Sequence, residues 1–313
     1  MKKSLLGLGI LIAAFAIVGC GKTTKSVGID NGGSTPLSAD QAQVNTVLTN
    51  NPTFVDEDVW QSSNFQDVTA GLGFAAVRPI RFRRVITNVD RQVSTVYGAP
   101  DSTGRPTLAV VTITRHLTGT FNLIAGSIDS TDTTKRLISK PLDDVSTRRI
   151  LLMRKRAESR EQDSTEADSV RWRMVGTSFV NLNTTGGSTR IVSVRLQAGP
   201  LDTTITDPLE MHKLRRVVRC MPDTPIRLTV TTTRNDDVVL FYGRDSRRRF
   251  LNNGDNTYTF VTTSGRYSGL RHLGIDALSK GSIYDDTAAY DANAWILPMT
   301  EDSSLEQIGR AHV

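Results

Sequence analysis

Beyond Pro79 the chain breaks into short runs of β-branched and aromatic residues separated by Gly, Pro, Asn and Asp. Such runs fit a pleated, half-buried surface and disfavour helix. Between Thr107 and Thr114, Leu108, Val110, Thr112 and Thr114 share one face, while Ala109, Val111 and Ile113 share the other. The second set is the one expected to pack against a helix. The same reading places strands near 80–87, 92–97, 107–115, 119–125, 147–156, 169–182 and 189–197. A further series follows near 225–233, 238–243, 248–251, 257–262, 270–278 and 293–298. Between 248–251 and 257–262 stands Asn252-Asn253-Gly254-Asp255-Asn256, a hairpin turn whose residues tolerate positive φ.

Ahead of the strands, Leu37-Ser38-Ala39-Asp40-Gln41 reads as a helix start, with Ser38 as N-cap and Gln41 reaching back to it. Val44, Val47 and Leu48 follow at helical spacing, so a helix is expected over 39–49, ended by Asn50, Asn51 and Pro52. From Gly21 to Pro36 almost nothing is apolar, and such a composition cannot offset its own ordering entropy. The organisation expected is a flexible tether over 20–36, an α+β domain with an antiparallel sheet over 37–198, and a β-sandwich over 199–307 beginning at Gly199-Pro200. The fold class expected is therefore mainly β. The alternation of the second unit resembles the immunoglobulin-like domains of bacterial envelope proteins, without their disulfide.

The amino terminus has a different logic. Lys2 and Lys3 precede an uncharged run from Leu5 to Val18. That is the layout of a secretory signal, placed over 1–19. At about 1.5 Å per helical residue the run covers roughly 21 Å, short of a hydrocarbon core of about 30 Å. The run closes on Ile17-Val18-Gly19-Cys20, which resembles the lipobox of bacterial lipoproteins. The resemblance covers residues 1–20 only. It implies a diacylglyceryl thioether on the Cys20 sulfur, cleavage before Cys20 and acylation of the new amino group. Several acyl chains hold firmly, since each buried methylene contributes about 0.8 kcal/mol. Gly21 stands where an aspartate would signal inner-membrane retention, so the outer membrane is expected in a diderm organism.

If Cys20 is lipidated, Cys220, the second of two cysteines, has no partner within the chain and no disulfide framework exists. Cys220 is then a small buried hydrophobe or a reactive thiol. The last six residues, 308–313, can be encoded as ATC GGA AGA GCA CAC GTC, which resembles a sequencing-library adaptor read in frame. The expectation is that the natural chain continues beyond about residue 307. The 38 basic residues exceed the 32 acidic ones, but without Lys2, Lys3 and Arg310 the count is 35 against 32. So dispersed an excess argues against a nucleic-acid partner. The densest basic stretch is Arg148, Arg149, Arg154, Lys155, Arg156 and Arg160, on which an anionic lipid or glycan could dock. Glu158, Glu161 and Glu166 neutralise part of it, and 156–168 reads as a solvated hairpin loop.

His116, His212 and His272 are far apart in sequence and form no zinc pair. Gly176-Thr177-Ser178-Phe179-Val180 lacks the second glycine of a nucleophile elbow, which leaves Ser178 a structural role. Gly21-Lys22-Thr23 lacks the upstream glycine of a phosphate-binding loop, and Gly71-Leu72-Gly73 the third glycine of a dinucleotide site. The most suggestive segment spans 284–295, gathering Tyr284, Asp285, Asp286, Tyr290, Asp291 and Trp295. Carboxylates suit calcium and exposed rings can stack on a sugar, although the spacing is not that of a helix-loop-helix calcium site. The other reading is a turn whose Trp295 enters the core with Ile296 and Leu297. No catalytic residue, metal ligand or cofactor is assigned. The function expected is a membrane-anchored envelope lipoprotein, not an enzyme, with a binding or structural role toward an envelope protein or glycan. The alternative is a glycan-binding or hydrolytic lipoprotein using the 284–295 loop.

Overall fold

The computed structural model describes residues 37–55, 66–67, 76–102, 104–127, 134–155, 171–214, 218–219, 223–242, 247–264 and 270–300. The expected signal, Cys20, the tether, the 156–168 loop, Cys220 and the 308–313 segment lie outside them. Helix α1 (Leu37–Thr49) is followed by a single turn, α2 (Pro52–Val55). Strands β1 (Gln66–Asp67), β2 (Arg78–Tyr97), β3 (Leu108–Gly126) and β4 (Lys135–Lys155) come next. They precede β5 (Arg171–Thr177), β6 (Val180–Thr184), β7 (Ile191–Ala198), β8 (Leu201–Ile205), β9 (His212–Lys213) and β10 (Val218–Arg219). Then come β11 (Pro225–Thr232), β12 (Val238–Tyr242), β13 (Arg247–Arg249), β14 (Leu251–Asn252), β15 (Thr257–Thr263), β16 (Leu270–Leu278), α3 (Lys280–Tyr284) and β17 (Ala292–Thr300).

The protein is mainly β, as expected. Its strands form a twelve-stranded sheet with the path β1-β2-β3-β4-β6-β17-β16-β12-β13 and a five-stranded sheet ordered β14-β15-β11-β7-β8. Among the described strands, pairing is antiparallel except between β10 and β17. The sheets cross the boundary expected at residue 199: β6 joins both β4 and β17, and β7 pairs with β8 and β11. Hydrogen-bond ladders thus tie the two halves of the sequence together.

Three strands are far longer than expected, at 20, 19 and 21 residues, or roughly 65 Å each. The segments 80–87 and 92–97 are one strand, as are 107–115 and 119–125, while 147–156 continues a strand that begins at Lys135. Polar stretches such as Thr87 to Gln92 resemble breaks in the sequence, yet the ladder to β3 runs through them. A bulge between Ile86 and Asn88 lets β2 bend there. Opposite it, a Cβ on Gly119 would stand 2.0 Å from the Val85 carbonyl oxygen, so only glycine admits this close approach. The strand expected over 169–182 is instead interrupted at Ser178 and Phe179, and β8 was not anticipated.

Apolar patterning explains the layers. Ala109, Val111 and Ile113 are buried with Val44 and Leu48 of α1, as their alternation implied, together with Ile150, Leu152 and Trp172. Helix α1 begins at Leu37, so Ser38 lies inside its first turn instead of ahead of it. The Asn51 amide donates to the Val47 carbonyl at 2.7 Å, and Pro52 opens α2, where its missing N–H costs nothing. Toward the other end, Phe82 of β2 shares a core with Leu240 and Tyr242 of β12. Strands near opposite ends of the sheet order can meet only if the sheet curls. The opposite face of β12, β16 and β17 shares the largest core with the five-stranded sheet, through Ile275, Trp295, Leu228 and Phe260 among others. The hairpin at 252–256 forms as expected, with φ of 89° at Gly254 and 66° at Asn256.

Candidate functional site

The segment after β16 closes one end of the curl. Ser279 caps the short α3, its hydroxyl accepting from the Ser282 N–H at 3.0 Å. From β4, Lys140 Nζ donates to the carbonyls of Gly281, Ser282 and Asp285 at 2.9, 3.0 and 2.6 Å. All three ammonium protons are thus used, and burial, opposed by Asp285 and Asp286, lowers the pKa of Lys140.

The six residues singled out in 284–295 have separate partners. Asp285 accepts from the Thr287 hydroxyl and N–H and from the Ala288 N–H, which hold its carboxyl below the usual range. Asp286 pairs with Arg136 at 2.6 Å. Asp291 accepts from the Ser188 N–H and hydroxyl and from the Thr189 N–H, fastening the turn before β7. The Tyr284 hydroxyl accepts from Arg249 at 3.0 Å. Trp295 is 3% exposed in the core between the sheets. Among the described residues, no three His, Cys, Asp or Glu side chains are grouped to hold a metal ion. The histidines are likewise apart: His116 bonds Asp143 at 2.6 Å, His212 stacks on Phe179, and burial, then Arg148, pushes His272 down to about 4. Ser178 is fully buried, accepting from the Arg149 N–H and donating to the Phe179 carbonyl at 2.8 and 2.6 Å.

Tyr290 alone belongs to a larger assembly, centred on a residue the sequence reading passed over. Arg84 of β2 is 2% exposed. Its Nη1 and Nη2 donate to the two oxygens of Asp276 on β16 at 2.8 and 3.1 Å. Nη1 also meets the Tyr242 hydroxyl at 3.1 Å, and Nε meets the Tyr290 hydroxyl at 2.8 Å. Tyr242 in turn donates to Asp276 at 2.5 Å, and Tyr290 to Asp144 of β4 at 3.0 Å. The Thr184 hydroxyl of β6 completes the chain, donating to Asp144 at 2.7 Å. Arg247 of β13 lies 4.0 Å from the Tyr242 ring centroid. Strands β12 and β16 and the loop thereby converge on the one guanidinium of β2.

Comparisons with family models, curated proteins and solved structures return no match. The chemistry must therefore be read from the site.

Burial works against the Arg84 charge, but Asp276 and the two tyrosines outweigh it and raise its pKa. Burial also raises both tyrosines, so they remain hydrogen-bond donors at neutral pH. Asp144 is pushed up to about 6 by burial, with Arg84, Thr184 and Tyr290 opposing. Arg247 is lowered by burial and by the like charge of Arg84. The arrangement is a polar clamp across the curl, with one carboxyl that changes protonation near pH 6. Its signal in the sequence is a charge at a core-facing position: Arg84 alternates with Phe82, Asp144 with Leu142, and Asp276 interrupts Leu273 to Leu278.

Proposed function

We propose that the chain is a lipid-anchored envelope protein whose β body has a binding or structural role and no catalytic one. The observation that carries this is the lipobox-like Ile17-Val18-Gly19-Cys20 closing a charge-free apolar run behind two lysines. Supporting the non-catalytic part, the carboxylates of Asp285, Asp286 and Asp291 serve a turn, an ion pair and a loop fastening. Within the body, we read the five-stranded sheet and the β12, β16 and β17 face as an immunoglobulin-like pairing of antiparallel sheets around Trp295. Palmitate labelling of the expressed chain tests the anchor. Label is expected on the wild type and absent from Cys20→Ser; an unlabelled membrane fraction, or a mature terminus other than Cys20, overturns it.

A further inference from the structure

The basic stretch of β4 divides in space. Arg148 is buried, its Nη1 donating to the Phe54 carbonyl of α2, and Arg154 pairs with Asp101. Arg149 and Lys155 instead lie exposed on the face of the sheet opposite α1. There Arg173 of β5 stands directly opposite Met153. Between these cations three adjacent strands present an apolar patch. Val96 of β2 faces Val110 of β3, which faces Leu151 of β4, and Leu108 faces Met153 in the next row. Val96 is 49% and Leu108 42% exposed. Aliphatic side chains rimmed by cations are the composition of a surface that enters a lipid interface, its apolar part reaching the acyl boundary and its cations the phosphates.

The position of the anchor agrees with this chemistry. Helix α1 starts at the same end of the sheet: Trp172, beside Arg173, donates to Asp40 at 3.0 Å, and Tyr97, beside Val96, donates to Gln41 at 3.3 Å. Cys20 stands 17 positions before Leu37, a length of chain that can span at most roughly 55–60 Å. That exceeds the ~10 Å from one sheet face to the layer packed on it, so the anchor reaches the patch side.

We propose that this face of β2, β3 and β4 docks on the anionic surface of the bilayer that holds the lipid anchor, an inference that rests on the lipoprotein reading above. Docking gives the protein a fixed orientation, with the five-stranded sheet and the 279–292 loop directed by the sheet and not by the tether. The test uses the mature chain from residue 20 carrying Cys20→Ser, so that no acyl chain contributes. It is floated with phosphatidylethanolamine vesicles containing about 30% phosphatidylglycerol, and separately with phosphatidylcholine vesicles. Flotation with the anionic vesicles alone is expected, weakening with salt. The double variant Arg149→Glu/Lys155→Glu should lower it at least ~10-fold, since each cation near the surface contributes about fivefold. Leu108→Glu should lower it too, and Arg227→Glu, on the exposed face of the five-stranded sheet, should not.

Circular dichroism checks that each variant folds. Because Leu108→Glu and the charge reversals alter different side chains, misfolding of one leaves the other decisive. No flotation of the parent Cys20→Ser chain, or flotation indifferent to both changes, overturns the proposal. So does a dimer that Leu108→Glu converts to monomer, which would give the face to a second copy. Palmitate labelling of Cys20 without flotation sinks docking and leaves the anchor standing; flotation without labelling supports the face and sinks the anchor.

Discussion

Replacing Arg84 by methionine keeps most of the side-chain volume and removes the charge at the centre of the clamp. Asp276, whose side chain is 0% exposed, then keeps the Tyr242 hydroxyl but loses two guanidinium hydrogen bonds of 2.8 and 3.1 Å. Hydrogen bonds to a charged group contribute about 1.5–3 kcal/mol each, and breaking a buried ion pair from one side costs about 3–5 kcal/mol. Tyr290 also loses its Nε donor, so the upper half of that range is expected. For a body of this size each kcal/mol moves Tm by about 2–4 °C, which makes the fall roughly 8–20 °C. Urea unfolding followed by tryptophan fluorescence measures the same quantity as a lower midpoint at constant slope. The double variant Arg84→Met/Asp276→Leu removes both charges, and because the pair is desolvated on both sides it should recover most of the loss. A cost below ~1 kcal/mol for Arg84→Met, or a double variant as unstable as the two single changes summed, would refute the reasoning.

The same clamp predicts a pH dependence. The folded state holds Asp144 near 6, above the ordinary 3.8, so the stability it contributes is fully present below pH 4 and lost as pH rises through about 6. Relative to Asp144→Asn, the wild type should therefore lose about 2–3 kcal/mol between pH 4 and 7 in urea titrations, and parallel profiles would contradict the assignment. Gly119→Ala places a methyl 2.0 Å from a backbone oxygen, so β2 must shift; a loss of about 1–3 kcal/mol is expected, and an unchanged Tm would rule out the close approach. Trp295→Ala should cost about 3–5 kcal/mol, whereas a ring acting as a sugar platform would leave the melting temperature nearly unchanged.

Alternation was legible wherever the two faces of a strand meet different surroundings. Ala109, Val111 and Ile113 identify a buried face because a pleated strand turns alternate residues the same way. The turn at 252–256 and the helix over Val44 and Leu48 were legible because their determinants are local. Strand length was not. Whether Thr87 to Gln92 ends a strand depends on β3 continuing opposite it, and local composition cannot report a partner. The 284–295 segment shows the same limit: its residues are neighbours in sequence, but Trp295 points into one core, Tyr290 into another and Asp291 toward the turn before β7.

The amino acids alone determined that this chain is mainly β and where its faces alternate, and they carry the lipobox-like pattern on which the proposed address rests, since each depends on side chains within a few positions of one another. Tertiary structure decided that Arg84, Asp144, Tyr242 and Asp276 form one assembly and that Arg149 and Lys155 share a face with Val96 and Leu108. Arg84 and Asp276 are 192 positions apart, and only the curl of the sheet brings them within 3 Å. Removing both from water makes their pairing obligatory, because a lone buried charge would cost more than the fold can spare.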